Sequence, residues 1–223
     1  MPFGFLVENR DVKFSIPKPQ SKAGGLIELV VIVALALGLA LAIQAWIVKP
    51  YQIPSGSMEP TLDVGQRVLV NRFIFHFREP QIGDIVVFHP PSGAESASEC
   101  GVLVKKEQPI ESGESCPKAT AGESSQTFIK RIVAVGGDTL SVKEGHPVVN
   151  GVEKKNESYI NPCGGGYECN LPKTIKIPPG YFFMMGDNRG ESDDSRYWGP
   201  VPKSWIIGEA FATYWPPDRI GTL

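Results

Sequence analysis

Hydrophobic positions fall along this chain in two ways. From Leu26 to Val48 they are nearly continuous, LIELVVIVALALGLALAIQAWIV, and the strongly polar Glu28 and Gln44 each lie near an end. Such a run makes roughly 34 Å of α-helix at ~1.5 Å per residue, enough to cross a bilayer. Leu and Ala favour helix, and in lipid a helix satisfies its own backbone. Beyond the run, short apolar stretches recur between turn signals, as strands do. Arg67–Asn71 alternates polar and apolar, Ile85–Phe88 follows Gly83-Asp84, and Phe128–Val135 leads into Gly136-Gly137-Asp138. Val148 to Val152 contains Asn150-Gly151, a strong hairpin signal, Tyr181–Met185 follows Pro178-Pro179-Gly180, and Ile206 to Tyr214 forms a last strand. No helical period of useful length follows the first run. The pattern predicts a mostly β protein: a tail over 1–25, a transmembrane helix over 26–48, and an external domain of antiparallel strands over 49–223.

Residues 92–126 break this pattern. They hold seven Ser and six Glu with a short apolar patch at Val102-Leu103-Val104, which marks an insertion or a functional loop. Cys100 and Cys116 lie inside it, and Cys163 and Cys169 bracket Gly164-Gly165-Gly166. Four cysteines allow three pairings. The two local ones are preferred: closing about 15 residues between Cys100 and Cys116 is worth roughly 3 kcal/mol in the chain-entropy model, and the glycines let Cys163 reach Cys169. Four free thiols are the alternative. The sequon at Asn156 carries little weight.

Charge sets an orientation. Arg10, Lys13, Lys18 and Lys22 precede the apolar run and Lys49 follows it, so the positive-inside rule puts the N-terminus in the cytoplasm and the β domain outside. Trp46 suits the membrane interface. A cleaved signal peptide is the rival reading, because Ala40-Leu41-Ala42 resembles a cleavage site. That triplet sits within the apolar run, which favours a retained anchor. The net charge of −2 implies no broad nucleic-acid surface. Three histidines and no C-x-x-C spacing give no support for a metal site.

PSGSMEP, residues 54–60, then poses a choice between linker and nucleophile. By composition it is a linker. As a nucleophile, Ser57 needs a base within hydrogen-bond reach. His76, His89 and His146 (the last in a Gly-His-Pro turn) have no aspartate partner by pattern. Lys130 is the other candidate. Alternation puts Phe128, Lys130, Ile132 and Ala134 on one strand face and Arg131 on the other. A buried lysine has a lowered pKa and, when neutral, can take a proton from serine. A lysine at a strand edge with its amine in water is the simpler alternative. SxxK at Ser15–Lys18 and Ser115–Lys118 lacks the SDN and KTG partners of penicillin-binding enzymes.

Four ordered blocks add to this: YQIPSGSMEPTL (51–62), GDIVVFHP (83–90), FIKRIVAVGGD (128–138) and MGDNRGESDDSRYWGPVP (185–202). With the apolar run before them, the chain resembles the bacterial type I signal peptidases over nearly all of 26–215. The resemblance implies two antiparallel sheet subdomains around a shallow groove. It implies Ser57 as nucleophile, Lys130 as general base, and Ser55 with the Ser57 N–H as oxyanion hole. Ser192 would stand beside the lysine amine, and Asp194 and Arg196 would brace the site. Tyr51, Ile53, Met58, Leu62, Val87, Phe128 and Ile129 match positions lining pockets for small residues, the A-x-A preference, although Ile53 and Leu62 read equally well as core. Gly190, Glu191, Gln66, Gly136 and Thr127 depart from the family pattern.

The expected protein is thus a single-pass enzyme of the cytoplasmic membrane, acting on exported precursors at the outer face, monomeric, with no cofactor and no metal. Two alternatives stay open: a self-cleaving Ser-Lys regulator, and a tethered β domain that binds without catalysis.

Overall fold

The computed structural model describes residues 22–94, 115–117, 122–154 and 157–223. Helix α1 runs Lys22–Trp46, and Gly24–Gln44 within it is long and apolar enough to cross a membrane. The helix thus begins four residues before and stops two residues before the bounds of the expected 26–48 segment. Val48 leaves the helix and opens strand β1 (Val48–Gln52), pairing with Asn71. Pro50, which has no N–H to give a helix, explains the stop. Residues up to Ala42 and those from Ile43 onward form separate compact units.

The second unit is built of β2 (Arg67–Asn71), β3 (Ile85–Phe88), β4 (Phe128–Val135), β5 (Thr139–Lys143), β6 (His146–Val149), β7 (Val152–Glu153), β8 (Leu171–Lys176), β9 (Tyr181–Met185), β10 (Val201–Pro202), β11 (Ile206–Trp215) and β12 (Gly221–Thr222). A four-residue helix, α2, spans Ser195–Trp198. The larger sheet has the order β1-β2-β11-β3-β4-β9-β10, with β12 paired to β11, and the smaller the order β7-β6-β5-β8. The strand pairs are antiparallel. Strands β1 and β4 are four places apart, about 19 Å in a flat sheet. The chain just after β1 nevertheless touches β4, so the large sheet is strongly curled.

Inside the curl lies a core of Ile53, Met58, Leu62, Val68, Val70, Ile85, Val87, Ile129 and Ala210. A second core joins β4 and β9 to the small sheet through Val133, Ala134, Phe183, Met185, Leu140 and Leu171. A third packs Trp198 against Val86, Phe88, Ile132 and Met184. Two local features differ from the sequence reading. A bulge between Ile132 and Ala134 breaks the alternation in β4, so Val133 and Ala134 enter the same core. His146 opens β6, opposite Lys143, and is not in the turn. The hairpin at Asn150-Gly151 is as expected, with φ of 51° and 78°, the left-handed pair a tight type I′ turn requires.

Candidate active site

Ser57 sits in a short 3-10 turn, Gly56–Met58, just past β1. The Ile53 N–H donates to the Gln66 carbonyl and its carbonyl accepts from Gly65. Pro54 then has no N–H to continue the ladder. Met58 and Leu62 are fully buried, and the Leu62 N–H donates to the Met58 carbonyl at 2.9 Å. These two residues pin the turn into the core.

From β4, Lys130 reaches the same point. Its Nζ lies 2.7 Å from Ser57 Oγ, and the residue is 4% exposed. The Phe128 ring centroid is 5.4 Å from Nζ, and Trp198 meets that ring edge-on at 5.7 Å. Burial pushes the amine down to about 8; Asp194, Asp193 and Asp187 oppose the shift and Arg196 adds to it. The alternative of an amine in water is therefore ruled out. Ser55 Oγ is 3.5 Å from Ser57 Oγ, a long contact.

The loop after β9 clamps this pair. The Asn188 N–H donates to the Ser57 carbonyl at 3.1 Å, and its side-chain amide donates to the Gly56 carbonyl at 3.1 Å. Asp194 accepts from the Gly186 N–H and from the Arg196 guanidinium at 2.8 and 2.9 Å. Burial alone would raise the Asp194 carboxyl, but Arg196, the Gly186 N–H and Lys130 hold it below its ordinary value. Ser192, which the resemblance implies beside the lysine amine, is buried at 5% exposure and its Oγ has no hydrogen-bond partner.

Sequence reasoning missed a second brace. Fully buried Asp187 accepts from Arg131 Nε and Nη2 at 2.9 and 2.6 Å and from Thr61 Oγ1 at 2.6 Å. The Arg131 guanidinium in turn lies 4.1 Å from the Tyr159 ring centroid. This joins the segment before Gly65, strand β4 and the β9 loop beneath the serine. Its one sequence signal was Arg131, placed on the opposite face from Lys130.

A groove of about 440 Å³ opens over the pair. Tyr51, Ile53 and Ser55 line one side, Val87, Phe128 and Ile129 line the other, and Glu191 and Asp193 also border it. Met58 and Leu62, expected on its wall, lie in the core behind it because the turn buries them. Two strand edges face the groove. Among the described residues, strand β1 pairs with β2 alone, and β4 meets β9 from Arg131 onward, leaving Phe128–Lys130 open on that side. Thr127 and Glu191, two departures from the pattern, lie on the groove lining.

Cys163 and Cys169 are disulfide-bonded, as expected. Cys116 is also disulfide-bonded; Cys100, most of the 92–126 insertion and Asn156 lie outside the described residues. Among the described residues no cluster of three metal-binding side chains occurs.

Residues 26–215 match the family model described as signal peptidase, peptidase S26. The chain belongs to that family. Among signal peptidases, a probable signal peptidase I-1 of Synechocystis is 36% identical over 196 residues, 88% of this chain and 86% of its own. The signal peptidase I of Leptolyngbya laminosa is 34% identical, covering 94% of this chain and 88% of its own. That of Mycobacterium tuberculosis is 33% identical, covering 97% and 81%. A crystal structure of a signal peptidase I from Enterococcus faecalis is 23% identical with a TM-score of 0.33, covering 59% of this chain and 97% of its own. Membership makes this chain a serine endopeptidase, a hydrolase, and its apolar N-terminal helix fits a membrane-anchored one.

Proposed function

We propose that this signal peptidase cuts signal peptides from exported precursors through a Ser57–Lys130 dyad. The observation that carries the reading is the 2.7 Å approach of a buried lysine amine to the serine hydroxyl. Neutral Lys130 takes the Ser57 proton as Oγ attacks the scissile carbonyl. The Ser57 N–H and Ser55 Oγ hold the oxyanion. The lysine ammonium then protonates the leaving amine, and water hydrolyses the acyl-enzyme. Ser192, lacking another partner, is within the same loop to orient the amine during turnover, and Asp194 with Arg196 holds that loop.

The substrate lies extended between the two open edges, adding a strand to each side. Small residues at the first and third positions before the bond, the A-x-A pattern, fit shallow pockets walled by Ile53, Val87, Phe128 and Ile129. The catalytic unit, 43–223, acts outside the cytoplasmic membrane as a monomer. Residues 48 to 57 span at most about 30 Å, which keeps the serine near the point where a precursor leaves the bilayer.

The deciding experiment is Lys130→Ala. Cleavage of an A-x-A precursor should be lost while the folded β signature and Tm persist. Wild-type turnover in that variant would overturn the dyad. Covalent labelling by an acylating lipopeptide, mapped to Ser57 in the wild type, should be lost in Ser57→Ala.

A further inference from the structure

Between β7 and the Cys163–Cys169 disulfide, the chain returns to the loop after β9. The Ile160 N–H donates to the Glu157 carbonyl at 3.2 Å, which closes a turn. Glu157 pairs with the fully buried Arg189 at 3.1 Å, and the Tyr159 hydroxyl donates to Glu157 at 2.8 Å. Past the turn, the Gly145 N–H donates to the Cys169 carbonyl at 2.8 Å. The disulfide is thereby tied to the turn between β5 and β6. The segment is held on both sides of Asn161.

Asn161 meets Asn188 in an isolated parallel bridge. Its N–H donates to the Asp187 carbonyl at 2.9 Å, and its carbonyl accepts from the Arg189 N–H at 3.2 Å. Its side-chain amide donates to Asn188 Oδ1 at 3.2 Å. Asn161 is exposed, whereas Asn188 is buried. The two ends of an Asn amide are alike in shape and opposite in hydrogen bonding. With Oδ1 held by Asn161, Asn188 turns its Nδ2 to the Gly56 carbonyl, 3.1 Å away. Turned over, Asn188 would set oxygen against that carbonyl and its NH2 against the Asn161 donor. Two bonds would become two repulsions, with a buried acceptor left unpaired.

We infer that Asn161 is a positioning residue for the nucleophile, acting through Asn188 on the Gly56-Ser57 turn. The inference rests on the proposed Ser57–Lys130 dyad. Asn161 does not line the groove, so it sets geometry and leaves substrate binding alone. The contacts run from Asn161 Nδ2 through the Asn188 amide to the Gly56 carbonyl, one peptide from Ser57. Their end point is the 2.7 Å approach of Lys130 Nζ to Ser57 Oγ. A misplacement of about 1 Å there costs a large part of the rate. What counts at 161 is a donor: without one Asn188 is free to turn over, and an acceptor drives it over.

The test is a double-mutant cycle in the full chain, with Asn161→Asp, Asn188→Ala and the pair. Asn161→Asp replaces the donor by a carboxylate, at a site exposed enough to carry the charge. Rates are read at about pH 9, above the lysine midpoint, so that the added charge does not act through the amine. On a precursor peptide kcat should fall about tenfold with KM unchanged, and Asn161→Ala should lose less. In the Asn188→Ala background, Asn161→Asp should cost nothing further. Equal losses in both backgrounds would overturn the inference, as would wild-type kcat in Asn161→Asp. Labelling of Ser57 by an acylating lipopeptide is followed in parallel. The variant should label completely but slowly. A reduced labelled fraction with normal turnover per labelled site would mean partial unfolding and would overturn the positioning role. No labelling of Ser57 in the wild type would remove the dyad and the inference together.

Discussion

Asn188 grips Ser57 from behind. Its backbone N–H holds the Ser57 carbonyl and its side chain holds the neighbouring Gly56 carbonyl, both at 3.1 Å. The side-chain oxygen is itself engaged by Asn161 at 3.2 Å. Asn188→Ala keeps the first bond and loses the second, letting the turn drift from Lys130. Because Asn188 is absent from the groove lining, kcat should drop by about tenfold or more with KM little changed. Steady-state kinetics on a precursor peptide measure this split; a rise in KM alone would contradict it.

The proton balance at Lys130 sets a pH profile. Burial brings the amine to about 8, so kcat/KM should rise about tenfold per pH unit below 8 and level above it. Asp193 favours the charged amine. Asp193→Asn removes that support, lowers the lysine pKa and raises the neutral fraction at pH 7. Asp193 is exposed, so solvent screening limits the shift of the midpoint to about a few tenths of a unit. Initial rates from pH 5 to 10 test both; a profile with no alkaline rise would sink the assignment.

Stability should run against activity at the same residue. The lysine pKa is lowered on folding, so between about 8 and the unfolded value near 10.4 the unfolded chain binds more protons and stability rises with pH. Below 8 both states are protonated and the burial penalty is in full force. Lys130→Met should therefore be inactive yet more stable, by about 2 kcal/mol at pH 6. The gap should narrow toward pH 10. Denaturation at the two pH values checks this, and a less stable variant at pH 6 would refute it.

Gly186 marks how tightly the loop closes on the serine. A Cβ there would run into Ser192 Oγ and the Ser57 carbonyl. Gly186→Ala should lower stability by about 1–3 kcal/mol, the usual cost of overpacking, and remove most activity. The check is active-site titration beside Tm; full titration with normal turnover would exclude the close packing.

The sequence was most informative where a strand alternates or a turn needs a special residue, as at Arg67–Asn71 and Asn150-Gly151. It was poor where tertiary context decides. Strand β1 hides in VKPYQ, which reads as the end of the anchor, and β8 carries Pro172 and two lysines. Alternation put Lys130 beside Phe128 and Ile132 but was silent on its burial, which depends on Trp198 and the β9 loop. Ser57 and Lys130 are 73 residues apart, so only folding brings them together. Met58 and Leu62 were read as pocket wall because local sequence does not separate a groove lining from the layer behind it. Asp187 gave no signal of its own, because its partners Thr61 and Arg131 are distant in sequence.

Strand β11 sits between β2 and β3, and so between the strand that leads to Ser57 and the one that bears Lys130. Both residues of the proposed dyad are made before that strand, which starts at Ile206. On the proposed function, a growing chain therefore lacks the strand that joins the two halves of the large sheet, and proteolytic power should arrive only when the sheet is stitched shut. Chains stopped at residue 205 should leave Ser57 unlabelled by an acylating inhibitor. This delay would protect neighbouring membrane proteins from a half-made protease.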